Sequence, residues 1–341
     1  MRILCLGTGP FAVPTLRLLA AGPHQVIGVV TRPERVDPRR KKLPPPSPMR
    51  AAAEGLGLPV DAPESINSAE GLDLLRRAAA DLLMVCDYGQ ILKPAALEST
   101  RLGGINLHGS LLPRHRGAAP VHAAILAGDA ETGVSVIRMT PGLDAGPVLA
   151  VRRTPIGTHE NQIELETRLA ELGAAAVVEA IEQLKRWDGI APLGQPQDPT
   201  RVTLAPRLKK EQGEIDWSES ADRIDRLIRA LQPWPGASGY LQRAPDAALL
   251  RVLIERAEPI AAVASGTTQS LAGTASSSEP GAILGASRDG IIVRCGDSTP
   301  LRLMRLKAEG KRSMEVGDFL NGLPLAAGAR FVPSRPDDAA Q

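Results

Sequence analysis

The residues best suited to acid–base chemistry lie in GGINLHGSLLPRHRGAAPVHAAI, which runs from residue 103 to 125 and holds three of the five histidines in the chain. Asn106 and His108 alternate with apolar residues, so on a strand both side chains face the same way. An asparagine amide can donate a hydrogen bond to an oxyanion, and a histidine can exchange a proton near neutral pH. A lone strand histidine is more commonly a core residue, but its pairing with Asn106 favours catalysis.

A histidine that moves protons needs a partner that orients it and sets its charge. Asp144, in RMTPGLDAGPVL, follows a strand predicted over 132–139 and can reach the same region of the sheet. A single aspartate in such a loop is otherwise a common turn residue. His115 and His122 are expected in a loop and a helix, and their spacing from His108 does not fit a set of metal ligands. No metal site is predicted.

A second distinctive stretch is TRPERVDPRRKKLPPPSP, residues 31–48, which carries six basic and two acidic side chains. A charged run of this kind is commonly a solvated loop. Here it follows a predicted strand end, the side of an α/β sheet where ligands bind, and its positive excess suits a phosphate backbone. The stretch therefore predicts a clamp for RNA or for a phosphorylated substrate.

The first turn, LGTGPFA, superficially matches a dinucleotide-binding fingerprint through Gly7, Gly9 and Ala12. Pro10 removes one of the N–H groups that would face a pyrophosphate. Arg32 also stands near the position where a ribose-binding acid is expected. A tight turn between strand and helix is therefore favoured over NAD(P) binding.

Strands that alternate with helices predict an α/β domain with a doubly wound, mostly parallel, Rossmann-like sheet. Strands are predicted over 2–7, 24–31, 79–92, 103–110 and 132–139, and helices over 12–21, 118–129 and 164–186. We expect this domain over 1–186 and a linker, rich in Pro and Gly, over 187–208. Short strands predict a small β-barrel over 209–332, with a flexible loop at 261–280 and a disordered tail at 333–341.

Length and composition limit the class of protein. A chain of 341 residues favours two domains, and 43% hydrophobic with 23% charged residues is typical of a soluble globular protein. The net charge of +2 gives no whole-protein basic field, so nucleic-acid contacts must come from local clusters. Three isolated cysteines and the lack of a long apolar run predict a cytoplasmic protein without a membrane span. Nothing requires a dimer, and a monomer is expected.

Several motifs together resemble the family of 10-formyltetrahydrofolate-dependent formyltransferases and, within it, the members that act on methionyl-tRNA. They are INLHGSLLPRHRGAAP, GDAETGVSVIRMTPGLDAGPVL, TRPERVDPRRKKLPPPSP, IDW and QPWPG, in family order through about nine-tenths of the chain. The first two motifs are shared across the family and specify the reaction. The basic stretch and the last two motifs are those of the tRNA-using members.

The resemblance implies transfer of a formyl group from 10-formyltetrahydrofolate to the α-amine of methionine on initiator methionyl-tRNA. It places the catalytic trio at Asn106, His108 and Asp144. The segment that lines the folate site corresponds to Ser110, Leu111, Leu112 and Pro113. It also implies that the second domain is an OB-like barrel that contacts tRNA. The residues expected to bind tRNA are Arg39, Arg40, Lys41, Lys42, Lys209 and Lys210.

In this reaction the amine attacks the formyl carbon and gives a tetrahedral intermediate that bears an oxyanion. Asn106 and a protonated His108 are expected to stabilise the oxyanion, while His108 or a water held by Asp144 moves the amine proton toward the leaving N10. Two alternatives stay open. One is a formyltransferase for glycinamide ribonucleotide or an amino sugar nucleotide, against which the basic stretch and the barrel argue. The other is a non-catalytic RNA-binding protein, against which the intact trio argues.

The sequence departs from the family pattern at several places. Pro10 replaces an acidic residue that is usual before the Phe of the glycine turn, and His115 stands where Trp or Tyr is usual. One extra proline lengthens the basic stretch, and 261–280 resembles an insertion. With eight aromatic residues in all, the barrel is expected to contact phosphates rather than to stack on bases.

Overall fold

The structure is a computed structural model that describes residues 1–35, 44–260, 269–270, 279–297 and 299–332. Arg39, Arg40, Lys41, Lys42 and the predicted tail 333–341 lie outside the described residues, as does most of 261–280. The chain divides into two compact units. The first is Met1–Ala124, Asp129–Gly157 and Glu164–Arg207, and the second is Ile125–Gly128, Thr158–Ile163 and Leu208–Gln341. Residues 187–207, predicted as a linker, therefore belong to the first unit.

The described part of the first unit is built on nine strands, five of which overlap the predicted ones. They are β1 (Arg2–Leu6), β2 (Gln25–Val30), β3 (Val60–Asp61), β4 (Leu82–Val85), β5 (Gly104–His108), β6 (Arg116–Gly117), β7 (Glu131–Arg138), β8 (Val148–Pro155) and β9 (Leu204–Ala205). One sheet has the order β3-β2-β1-β4-β5-β7-β8, and β6 pairs with β9. The pairs from β3 to β5 are parallel, whereas β7 and β8 are antiparallel additions. The predicted mostly parallel α/β class is confirmed.

Helices cover this sheet. They are α1 (Val13–Ala21), α2 (Pro48–Gly55), α3 (Ala69–Ala78), α4 (Pro94–Leu97), α5 (Pro120–Ala127) and α6 (Gln162–Arg186), with short 3-10 helices at Pro10–Ala12 and Pro199–Arg201. Ser47 and Ser68 start α2 and α3, because each hydroxyl accepts a hydrogen bond from a backbone N–H of the first turn. None of the helices in the described ranges is long and apolar enough to cross a membrane.

The packing of α6 decides which face of β5 is available for chemistry. Leu107 fills the space beside Gly173 of α6, where a Cβ would come within 2.7 Å of a leucine methyl carbon. Successive side chains of a strand point to opposite faces, so Asn106 and His108 lie on the other face. The two polar side chains are thus placed by the burial of their apolar neighbours.

The second unit is an antiparallel sheet with two described α-helices and a short 3-10 helix at Lys210–Gly213. Its elements are α7 (Ala221–Ala230), β10 (Ala237–Gln242), β11 (Leu250–Pro259), β12 (Gln269–Ser270), β13 (Ile283–Ser287), β14 (Gly290–Arg294), β15 (Pro300–Ala308), β16 (Met314–Glu315), α8 (Val316–Gly322) and β17 (Arg330–Val332). The sheet order is β12-β13-β14-β15-β11-β10-β17. The backbone N–H of Phe331, on β17, also donates to the carbonyl of Gly281 beside β13. The sheet therefore nearly closes, and the predicted OB-like barrel is confirmed.

Candidate active site

His108 ends β5 and is buried, with both ring nitrogens near an acceptor atom. Its Nε2 lies 2.9 Å from the carbonyl oxygen of His115. Because a carbonyl oxygen can only accept, we assign the proton of the neutral ring to Nε2. Nδ1 lies 3.7 Å from Oδ2 of Asp144 and is the nitrogen left free to take a proton. The arrangement is that of a base whose conjugate acid has a carboxylate beside it.

Asp144 reaches β5 through a tightly turned loop. Since β7 is antiparallel to β5, its last residue pairs with the beginning of β5, and the loop must turn back toward His108. Asp144 has a φ of 45°, in the left-handed region. Gly146 permits the turn, because a Cβ there would lie 1.7 Å from the carbonyl oxygen of Arg138. Without this turn, a chain leaving the end of β7 would run away from His108; with it, the carboxylate of Asp144 lies beside the ring.

The carboxylate of Asp144 also accepts two hydrogen bonds, neither of them from His108. Asn106 donates from Nδ2 to Oδ1 over 3.4 Å, and the backbone N–H of Gly117 donates to Oδ2 over 2.9 Å. Gly117 has a φ of 128° and lies against the backbone of Ala205, where a Cβ would be 2.4 Å from the carbonyl oxygen. The structure thus brings Asn106, His108 and Asp144 together.

The electrostatic surroundings of His108 favour a neutral ring at rest. Burial lowers the pKa of His108 below its ordinary value of 6.5; the charge of Asp144 and the hydrogen bond to the carbonyl of His115 act in the opposite direction. The positive form of His115 adds a small further lowering of that pKa. The protonated His108 expected beside the oxyanion must therefore form during the reaction, because desolvation disfavours the cation at rest. The imidazolium forms only when Nδ1 takes up a proton.

Gln197, in the segment predicted as a linker, is a site residue that sequence reasoning missed. Its Nε2 donates to the carbonyl oxygens of Asp144, over 2.7 Å, and of Gly146, over 2.8 Å. Its Oε1 accepts from Nε and Nη2 of Arg116. A segment without periodicity gives no sign of such long-range hydrogen bonds.

His115 is held in place by hydrogen bonds of its backbone and its ring, which the sequence did not reveal. Its φ is 60°, and its backbone N–H donates to the hydroxyl of Thr203 over 2.8 Å. Its ring Nε2 lies 2.7 Å from Oδ2 of Asp129, whose Oδ1 accepts from Arg114. These contacts hold the carbonyl that fixes the tautomer of His108.

The remaining histidine of the opening stretch has a different environment. His122 lies on α5, and burial lowers its pKa to about 4. Within the described ranges, no group of three histidine, cysteine or acidic side chains is placed to hold a metal ion.

Replacing His115 with alanine is expected to lower the free energy of unfolding by about 1–3 kcal/mol, because the partly buried Oδ2 of Asp129 loses its partner. Alanine keeps a Cβ, so the cost of the left-handed backbone is unchanged. Urea unfolding would measure the effect. Arg114→Ala is the comparison, since it removes a more exposed ion pair and should cost less than about 1 kcal/mol. Equal losses would argue against a special role for the His115 ring.

In the loop predicted to line the folate site, the polar groups of Ser110 form hydrogen bonds within the protein. The hydroxyl of Ser110 donates to the carbonyl of Arg114, and its own carbonyl accepts from Ser135. The Leu111 side chain packs against Gly133, where a Cβ would be 2.6 Å from its methyl carbon. The side chains of Leu112 and Pro113 are half-buried and retain some free surface. That all four residues line the donor stays a prediction.

The glycine turn after β1 offers little to a pyrophosphate. The backbone N–H of Thr8 already donates to the carbonyl of Asp87 over 3.0 Å. A Cβ on Gly9 would lie 1.7 Å from Oδ2 of Asp87, so a carboxylate oxygen rests against the turn. A negative group at that place disfavours a second negative group, in agreement with the tight-turn interpretation.

The two lysines predicted to bind tRNA from the second unit are exposed. Lys209 precedes the short 3-10 helix Lys210–Gly213, and its backbone N–H donates to the side chain of Gln212. A contact of either lysine with tRNA stays a prediction.

Two sequence profiles match this chain. One, described as "Formyl transferase", matches residues 1–181, which is more than half of the chain. The chain belongs to the formyl transferase family. A second profile, "Formyl transferase, C-terminal domain", matches residues 207–324 of this formyl transferase and covers most of the described barrel.

Relatives of this formyl transferase match it along nearly its whole length. "Methionyl-tRNA formyltransferase" of Rhodopirellula baltica is 46% identical over 342 residues, which cover 97% of each chain. The protein of the same name from Paracoccus denitrificans is 41% identical over 326 residues, with 95% of this chain and 98% of the relative covered. The solved structure of WlaRD, a sugar 3N-formyl transferase, has a TM-score of 0.61 at 14% identity and covers 92% of this chain and 99% of that chain. This last similarity is one of fold.

Proposed function

We propose that this formyl transferase moves the formyl group of 10-formyltetrahydrofolate to the free α-amine of methionine on initiator methionyl-tRNA. The observation that carries the proposal is the ring of His108, which donates from Nε2 to the carbonyl of His115 and turns Nδ1 toward Asp144. The relatives that match nearly its whole length are named methionyl-tRNA formyltransferase, which supports this acceptor. A monomeric state and a cytoplasmic location stay predictions.

The donor is a substrate whose ring systems have apolar faces and polar edges, with one reactive formyl group. Next to the polar trio, the side chains of Leu112 and Pro113 keep some free surface, and Leu143, directly before Asp144, is 57% exposed. Apolar surface beside a few convergent polar groups suits a ligand of this kind. We expect Leu143 to hold the donor together with the predicted segment of Ser110, Leu111, Leu112 and Pro113.

In the first step the neutral amine attacks the formyl carbon, a C–N bond forms, and the carbonyl electron pair moves to oxygen. The Asn106 amide has two N–H groups; one reaches Asp144 and the second can donate to the oxyanion. Removing one such donor typically costs on the order of a hundredfold in rate.

In the second step His108 takes the proton of the attacking nitrogen at Nδ1, and Asp144 stabilises the imidazolium. The proton then passes to N10 as the bond between N10 and the formyl carbon breaks. Formyl-methionyl-tRNA and tetrahydrofolate leave, and His108 returns to its neutral form. Every proton and electron pair is thus accounted for by the two substrates and one side chain.

The acceptor is tested by offering the purified protein 10-formyltetrahydrofolate with methionyl initiator tRNA, glycinamide ribonucleotide or an amino sugar nucleotide in separate reactions. We expect formyl-methionine after hydrolysis of the tRNA ester, with a rate for the tRNA far above those for the small amines. A product with a small amine alone would overturn the proposed acceptor. No product with any acceptor, beside an active control enzyme, would overturn formyl transfer itself.

The basic stretch supplies a prediction about tRNA binding, although its central residues lie outside the described part. We expect the change of Arg39, Arg40, Lys41 and Lys42 to glutamine to reduce the slope of log affinity against log salt concentration by about 3. Each phosphate contact contributes about 0.7–0.9 to that slope. Filter binding over a series of salt concentrations would measure the slope. The same change at Lys185 and Arg186, exposed at the end of α6, should leave it unaltered. An unaltered slope in the quadruple variant would favour a solvated loop.

A further inference from the structure

Gln197 connects the loop of Asp144 to a segment outside the two motifs that define the reaction. Its amide N–H groups span the carbonyls of Asp144 and Gly146, the two ends of the left-handed turn. Its Oε1 is held in turn by two nitrogens of Arg116, which lies beside the Gly117 N–H that also contacts Asp144. One side chain therefore fixes both the backbone of the Asp144 turn and its distance from β6.

Asp144 needs such a support because its backbone conformation is unfavourable for a residue with a Cβ. Without the hydrogen bonds from Gln197, the carbonyl oxygens of Asp144 and Gly146 would lose their donors, and the backbone of the turn could change conformation. The carboxylate would then move relative to Nδ1 of His108, since that separation is set by the loop and by the N–H of Gly117. A misplacement of about 1 Å at a reacting group can cost about a hundredfold in rate.

We propose that Gln197 is a positioning residue, which holds the Asp144 carboxylate where it stabilises the imidazolium of His108. The inference rests on the proposed function, because it assigns that role to Asp144. Gln197 itself need not touch either substrate. Its effect is on a pKa and on kcat rather than on substrate binding.

The segment around Gln197 has its own attachments to the first unit. Gln195 exchanges two backbone hydrogen bonds with Val148, and β9 pairs with β6. Removal of the Gln197 side chain therefore leaves the segment attached. A displacement of the Asp144 carboxylate can therefore be distinguished from unfolding of the segment.

Gln197→Ala is expected to lower kcat for methionyl-tRNA by about 10- to 100-fold, with KM for both substrates within about twofold. Gln195→Ala is the matched control, because its side chain is exposed and its contacts with Val148 are made by backbone atoms. Gln197→Glu keeps the size of the side chain but turns an oxygen toward two carbonyl oxygens, and should be at least as slow as the alanine variant. Thermal unfolding of each variant would show whether it remains folded.

A second readout does not depend on the reaction. The charge of Asp144 raises the pKa of His108, so a carboxylate that moves away lets that pKa fall further. We expect carbon NMR titration of the labelled imidazole to give a lower pKa for His108 in Gln197→Ala than in the wild type, and an unchanged one in Gln195→Ala. In the Asp144→Asn background, Gln197→Ala should add little to the loss of kcat or to the shift.

The outcomes separate this inference from the proposed function. Failure of the wild type to formylate methionyl-tRNA would overturn the function, whereas the NMR comparison would still report on Gln197. An unchanged His108 pKa in folded Gln197→Ala would overturn the positioning role, whatever the activity. So would a multiplicative loss of kcat in the double variant, since Gln197 would then act independently of Asp144.

Discussion

Replacing His108 with alanine is expected to lower kcat by about 10²–10⁴-fold, while the affinity for methionyl-tRNA stays within about twofold. The reason is that Nδ1 of His108 is the free basic nitrogen beside Asp144, whereas Nε2 is occupied by the carbonyl of His115. Alanine removes the proton acceptor without removing the surfaces that contact the substrates. Single-turnover formylation with filter binding of the tRNA would measure the two quantities.

His108 is buried, so its removal also leaves a gap on the face of β5 opposite Leu107. Thermal unfolding of the variant must therefore accompany the kinetics. His159→Ala is the matched control, because His159 is exposed and should change neither quantity. A folded His108→Ala enzyme with only a small change in rate would identify His108 as a core histidine.

Replacing Asp144 with asparagine is expected to lower kcat by about a hundredfold or more and to move the acidic limb of the pH–rate profile to lower pH. The base must be neutral to accept a proton, so activity falls as the pH drops through the pKa of His108. Burial already places that pKa below 6.5, and the charge of Asp144 raises it. Loss of the charge therefore lowers it again, and the imidazolium formed during the reaction loses its partner.

The pH dependence of kcat, measured between pH 4.5 and 8, would show the direction of the shift. Asp198→Asn is a suitable comparison, because Asp198 is exposed and only caps the 3-10 helix Pro199–Arg201. An acidic limb that stays in place in Asp144→Asn would contradict the assignment of that limb to His108. A limb that moves to higher pH would contradict the sign of the interaction.

The sequence predicted the position of Asn106 and His108 well, because the pleat of a strand requires that alternate residues share a face. The buried Leu107 determines which face that is. Asp144 was predicted from its place after a strand, although β7 is antiparallel to β5 and only the left-handed turn returns the carboxylate to His108. Asp144 therefore lies where the sequence predicted it, but the left-handed turn that brings it there could not be read from the sequence pattern.

Other features could not be predicted because they depend on contacts between distant segments. Gln197 reaches Asp144 across 53 positions, and the hydroxyl of Thr203 meets His115 across 88. β8 was missed because it is an edge strand whose outer half, with Arg152 and Arg153, is exposed and hides the apolar alternation. Hydrophobic periodicity indicates which face of an element a residue lies on. It does not indicate which distant backbone groups its side chain will hydrogen-bond.

The protonation state of His108 at rest is not fixed by the sequence, and its surroundings in the structure indicate it. From the sequence, a protonated His108 is expected beside the oxyanion, with no charge assigned to the resting ring. In the structure the ring of His108 is buried, which lowers its pKa and favours a neutral ring at rest. The oxyanion is then met first by the amide of Asn106, and the positive charge appears only as the amine loses its proton.

The most direct test is single-turnover transfer of a carbon-labelled formyl group from 10-formyltetrahydrofolate to methionyl initiator tRNA. With the wild type, label is predicted in formyl-methionine released from the tRNA, and with His108→Ala the same product is predicted about 10²–10⁴-fold more slowly. Unlabelled methionine after incubation with the wild type, in a preparation where a control formyltransferase labels the same tRNA, would contradict the proposed function. Equal rates for the two proteins would contradict the role of His108.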